Sequence, residues 1–157
     1  MIARRGFTLI ELVVTVAILG VLALAAAPLL ENTVRRHKEA ELRGALRDIR
    51  NAIDAYQRAA AEGKVARKAD ESGYPHRLED LYLGVDNIQD PEKRKIYFLR
   101  RLPRDPFATD GALPAAQTWG KRSYESSPDA PREGNDVFDV HSRSEAVGSN
   151  GVPYREW

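Results

Sequence analysis

Apolar side chains fill the chain from position 7 to position 30 and then change their spacing. Residues 12–30 carry no charged side chain. That run approaches the roughly 20 residues that cross a bilayer core. From position 31 the chain turns polar, yet Leu42, Ala45, Leu46, Ile49, Ala52, Ile53, Tyr56 and Ala60 recur at steps of three and four, the spacing of one helix face. Arg43, Arg47, Arg50 and Asp54 occupy the other faces, and Glu39 and Arg43 stand at the i,i+4 spacing of a favourable ion pair. Gly44 is the only glycine or proline between Pro28 and Gly63. The pattern predicts one helix from about residue 7 to about residue 61. At 1.5 Å per residue it would run roughly 80 Å, apolar all round in its first half and amphipathic in its second.

Beyond residue 62 the pattern shortens. Residues 63–73 are polar and bounded by glycine, which predicts a loop. Pro75 opens a predicted short helix in which Leu78, Leu81 and Tyr82 point inward. Glu79 and Asp80 are adjacent there, and adjacent helical positions face apart. Strand signals come late. Residues 122–126 are one candidate, and residues 136–142 alternate more cleanly. Asn150-Gly151 marks a turn, and residues 154–157 are expected to add a last short pairing. The expected fold class is α+β, with the long N-terminal helix packed on a small antiparallel sheet of two to four strands.

Composition narrows the function. The 157 residues suit one small domain plus one anchor. Net charge is +1, so no global field favours nucleic acid or an acidic substrate. The absence of cysteine excludes disulfides, zinc thiolates and thiol catalysis. His37, His76 and His141 lie in separate segments, no nucleophile has a base at usable spacing, and an enzyme is not expected. The run Arg35-Arg36-His37-Lys38 is basic. It reads as a solvated helix face just outside a membrane rather than as a binding site for nucleic acid or anionic lipid.

Three processing schemes compete at the N-terminus. An ordinary secretory signal would be cut near the small residues Ala25-Ala26-Ala27. A plain single-pass anchor would leave Glu11 without a role. The third scheme uses every unusual residue. Gly6-Phe7-Thr8-Leu9-Ile10-Glu11, behind Arg4 and Arg5, closely resembles the type IV prepilin motif. The resemblance implies cleavage between Gly6 and Phe7 by a prepilin peptidase, N-methylation of Phe7, and an apolar helix retained as membrane anchor and later as filament core. An acid in a bilayer costs about 2.5–3.5 kcal/mol, so Glu11 needs a partner. The new amine at Phe7, with a reference pKa of about 7.7–8.0, is that partner. The pair can form between neighbouring subunits, where it would set axial register, or within one chain. Gly20 and Pro28 interrupt the apolar run; in the resembled family the helix melts between such positions.

The middle of the chain refines the resemblance. Tyr74-Pro75, Leu78-Glu79-Asp80-Leu81 and Leu102-Pro103-Arg104-Asp105-Pro106-Phe107 are similar, in order and spacing, to the major pseudopilins of type II secretion. That family implies a homo-oligomeric filament with other pseudopilins as partners, an inner-membrane assembly platform, and support of protein export across the outer membrane. The implied placement is single-pass in the inner membrane, with the N-terminus cytoplasmic and the remainder periplasmic. The implied organisation is a leader at 1–6, a transmembrane and assembly helix at 7–30, and a periplasmic domain at 31–157. Within that domain lie a helix at 31–62, a loop and short helix at 63–84, and a turn and small sheet at 96–157. A subunit of a surface type IV pilus is the alternative. The family also implies calcium in the loop after the last main strand, held by carbonyls, a serine and a pair of aspartates. Here Ser142 stands at the serine position, but the aspartate pair is absent, leaving Asp139, Ser142 and Glu145 as the side chains an ion would have to use. A hard cation wants six to eight oxygens, so no resident cofactor is expected.

Overall fold

The computed structural model describes residues 8–157 and, of residues 23–31, the backbone alone. Gly6 and Phe7 therefore lie outside the described residues, as does the side chain of Pro28. Two compact units divide the chain after His37.

The long helix α1 spans Leu9–Ala61. It continues unbroken through Gly20 and Pro28. Thr8 caps its start, accepting the Glu11 backbone N–H on Oγ1 at 3.3 Å. Its end is closed by a Schellman pair: the Lys64 N–H donates to the Ala59 carbonyl at 2.9 Å and the Gly63 N–H to Ala60 at 3.0 Å, with Gly63 at φ 73°. Among the described residues, no helix is long and apolar enough to cross a membrane.

In the unit Lys38–Trp157, one face of α1 is the core. Leu42, Ala45, Leu46, Ile49, Ala52, Ile53, Tyr56 and Ala60 are all buried, as the three-four spacing predicts. They pack against Val65, Leu78, Leu81, Leu102, Ala116, Trp119, Val137, Val140 and Tyr154. Tyr56 meets Phe98 with ring centroids 5.3 Å apart, and Tyr154 stacks on Phe107 at 4.0 Å.

The elements laid on this face are short. Helix α2 is Asp80–Leu83, five residues later than the expected start at Pro75. The Pro75 carbonyl, which a helix begun there would use internally, instead accepts the Val137 N–H at 2.8 Å. Strands β1 (Val85–Asp86) and β2 (Lys95–Ile96) form an antiparallel hairpin that the alternation pattern does not reveal. Strands β3 (Trp119–Arg122) and β4 (Asp139–Ser142) form a second antiparallel pair, with Gly120 opposite His141 and Arg122 opposite Asp139. Strand β4 lies within the expected 136–142. Strand β3 ends where the other candidate was expected to begin. Asn150-Gly151 is a turn, with Gly151 at φ 80°. Residues 154–157 do not pair as a strand; Tyr154–Glu156 is a 3-10 turn. Pro153 makes a bridge to Val147 just before it.

Gly120 is the glycine that β pairing cannot replace. A Cβ there would enter the ring of His141 on the facing strand. Gly120→Ala is expected to destabilise the domain by about 1–3 kcal/mol, read by thermal or denaturant unfolding. Adding His141→Ala should restore most of that loss.

Candidate functional site

The sequence-predicted site residues occupy two separate regions. Glu11 lies in the first turn of α1, where a carboxylate complements the helix dipole. Thr8 and Glu11 stand at the spacing of a capping box. The other polar side chain of this stretch, Thr15, turns back on its own helix and donates to the Leu12 carbonyl at 2.8 Å. Every described side chain from Thr8 to Leu22 is exposed, including ten large aliphatic ones, Leu9 at 82% among them. Glu11 is the only charge among them. At Gly20 nothing approaches within 4 Å of where a Cβ would sit.

The proposed metal ligands are not brought together. Asp139 and Ser142 are three residues apart on β4 and so face opposite sides of the pair. Asp139 Oδ1 accepts from Arg50 Nε and from the Val140 N–H, each at 2.8 Å, while Arg122 lies 3.8 Å from Oδ2. Ser142 is fully buried. Its hydroxyl donates to Asp105 Oδ2 at 2.5 Å and accepts the Ser144 N–H at 3.1 Å. Glu145 is exposed in the loop that follows. Among the described residues, no three histidine or carboxylate side chains converge as a metal site. With Asp139 held by Arg50 and Arg122 and the Ser142 hydroxyl donating to Asp105, these side chains do not fit a calcium ion, which takes six to eight oxygens.

What the fold does assemble is a set of buried carboxylates. Asp105, from the Leu102-to-Phe107 segment, is 3% exposed. Besides Ser142, it accepts the Phe107 N–H on Oδ1 at 2.8 Å. Its own N–H donates to Thr118 Oγ1 at 3.2 Å. Trp119 Nε1 donates to the adjacent Pro103 carbonyl at 2.9 Å. The segment is thus a rigid turn locked to both β3 and β4. Glu39 is 2% exposed and accepts from the Ser149 N–H at 2.7 Å, from Ser149 Oγ, and from the Tyr154 hydroxyl at 2.9 Å. It is therefore not on the solvated face where pairing with Arg43 placed it; the Arg43 guanidinium lies over the Trp157 ring at 4.2 Å. Arg50 donates to the main-chain oxygens of Val140 at 3.2 Å and Trp157 at 2.9 Å. The sequence carried a signal for Glu39: it sits three residues before Leu42, at the next position of the buried stripe.

His76 and His141 are engaged separately within the unit Lys38–Trp157. His76 Nδ1 lies 2.9 Å from the Asn135 carbonyl. His141 packs over Gly120, and burial pushes its pKa below the ordinary value, with Asp139 and Glu133 opposing and Arg143 and Arg50 reinforcing.

The N-terminal residues 1–27 match the family model described as "Prokaryotic N-terminal methylation motif". Relatives include "Type II secretion system core protein G" of Vibrio cholerae, 34% identical over 113 residues that cover 68% of each chain. The protein of the same name from Dickeya chrysanthemi is 30% identical over 159 aligned positions, covering 94% of this chain and 95% of the relative. The "Type IV major alpha-pilin" of Moraxella bovis is 28% identical over 77% of this chain and 72% of its own. No solved structure gives a significant match.

Two outcomes follow from this geometry. Asp105→Ala leaves the Ser142 hydroxyl and the Phe107 N–H without their buried acceptor, and is expected to cost about 2–4 kcal/mol in unfolding experiments. His141 has a folded-state pKa below its unfolded one, so the unfolded chain binds the proton first. Stability should be intact above about pH 6.5 and fall as pH drops toward the folded-state pKa. Melting temperatures at neutral and acidic pH should differ less in His141→Gln than in the parent. The near full-length match to secretion proteins, together with the processing motif at the N-terminus, places this chain in the type II secretion system core protein G family.

Proposed function

We propose that the chain is a pseudopilin subunit cut between Gly6 and Phe7 on the cytoplasmic side, methylated on Phe7, and held in the inner membrane by residues 7–30. It is then polymerised through that helix into a type II secretion pseudopilus. The observation that carries this reading is the first part of α1. Ten large aliphatic side chains between positions 9 and 22 stand exposed on all faces. Each gains about 1.5–3 kcal/mol when taken out of water. Such a surface requires lipid first and neighbouring helices afterwards.

Glu11 interrupts that surface at one point. In either apolar surrounding it requires a cation, and the amine released at Phe7 supplies one. Pairing between an entering subunit and its neighbour would fix the axial step, because any other register leaves a carboxylate unpaired in an apolar medium. Gly20 and Pro28 lower the cost of opening α1 when lipid is exchanged for protein. The partners on this reading are a prepilin peptidase, an inner-membrane assembly platform, further copies of the chain and other pseudopilins. The domain at 31–157 would face the periplasm, and filament growth would push secreted proteins toward the outer membrane. A surface pilus subunit would share the leader and helix. The relatives at 30–34% identity are secretion proteins, whereas the pilin stands at 28%.

Replacing Glu11 by Ala in the native host tests the register role. Leader removal should continue, with the mature N-terminus at a methylated Phe7 by mass spectrometry. Filaments and secretion should drop at least tenfold. Normal filaments and secretion from Glu11→Ala would rule it out.

A further inference from the structure

We infer that the C-terminal loop, residues 143–157, is pinned to α1 by the Glu39 carboxylate, and that this protein-borne anion replaces the cation the resemblance would place in that loop. The geometry has the wrong sign for a metal. From the loop, an N–H and two hydroxyls, of Ser149 and Tyr154, converge on Glu39 as donors. A cation would need oxygens turned inward, and here the Ser149 backbone turns its N–H toward the anion instead.

The rest of the loop is built around that contact. The Gly148 N–H donates to the Val152 carbonyl at 2.8 Å, and the Tyr154 N–H to Ala146 at 3.0 Å. These bonds fold the loop into a narrow double-backed turn, so Ser149 arrives at its tip with N–H and Oγ both aimed at the helix. Gly148 has no room for a Cβ because the Trp157 ring lies against it. Tyr154, 1% exposed, is stacked between Phe107 and the edge of Trp157, which fixes its hydroxyl on Glu39. Farther along the same helix, Arg43 over Trp157 and Arg50 on the Trp157 main-chain oxygen hold the other end of the loop. Every one of these contacts lies within the unit Lys38–Trp157, so the inference stands independently of the assembly role of residues 7–30. Its consequence is a subunit whose C-terminal loop keeps its shape without divalent cations.

The test uses the full chain in detergent, with calcium as the probe. Melting in excess chelator and in millimolar calcium should agree to within about 1 °C, and calorimetric titration should show no micromolar site. A micromolar site saturated a thousandfold would instead raise the melting temperature by about 10 °C; that rise overturns the inference. Glu39→Gln keeps the size of the side chain and loses the charge. It should lower the melting temperature by about 5–10 °C and speed hydrogen exchange at the Ser149 amide at least tenfold. Unchanged Ser149 protection in that variant also overturns it. If Glu39→Gln does not fold, Tyr154→Phe removes one hydroxyl and keeps the stacked ring. Faster exchange at Ser149 in that variant supports the clamp, and unchanged exchange refutes it.

Discussion

The buried stripe of α1, from Leu42 to Ala60, is the surface on which the C-terminal unit is organised. Helix α2 and the four strands are each four residues or fewer. Elements that short do not hold themselves together in water. Three of them place a large side chain on the same apolar face, Leu81 from α2, Trp119 from β3 and Val140 from β4, with Val85 of β1 packed against it and Leu78, Leu102 and Tyr154 added from the intervening loops. Removing water from that common face is the favourable term, and the local structures are its by-products.

A fold made mostly of loops must also dispose of many backbone polar groups. Three buried carboxylates meet this need. Glu39 gathers the C-terminal loop, and Asp105 joins the Leu102-to-Phe107 turn to β4. Asp136 accepts the Tyr124 N–H at 2.9 Å and the Ser72 hydroxyl. Each anion collects N–H and O–H donors from segments distant in sequence, the stronger kind of hydrogen bond. No buried side-chain nitrogen or oxygen among the described residues lacks a partner. Of the side chains a metal reading would enlist, Asp139 accepts from Arg50 and Ser142 donates to Asp105.

The two parts of α1 obey different solvents. In residues 38–61 one stripe is apolar and the remaining faces are charged, so water and a protein core are both satisfied. Between residues 8 and 22 all faces are apolar and exposed, with Glu11 as the sole charge. On the proposed function both properties serve in one helix: the charged faces of the folded unit meet water, and the apolar segment meets lipid or other copies of itself.

The long helix, its end at Ala61, its buried face and the α+β class were legible in the chain, because helical periodicity and glycine or proline punctuation are local signals. The prepilin motif and the family were legible for a similar reason: Gly6 to Glu11, Tyr74-Pro75, Leu78 to Leu81 and Leu102 to Phe107 are short contiguous segments. Strand β4 and the Asn150-Gly151 turn could be read from alternation and turn chemistry. Other features needed the folded molecule. The late start of α2 depends on Val137, 62 residues beyond Pro75, claiming the carbonyl that a helix would have used. The β1–β2 hairpin has too few residues to show alternation. Glu39 looked like half of a surface ion pair, although its place three residues before Leu42 lies on the buried stripe, because a charged side chain there can be buried only if donors reach it. The arrival of Ser149 and Tyr154, more than a hundred residues away, gives its carboxylate donors in the folded molecule. Periodicity tells which side of a helix faces the core, and tertiary contacts decide which charges can follow it there.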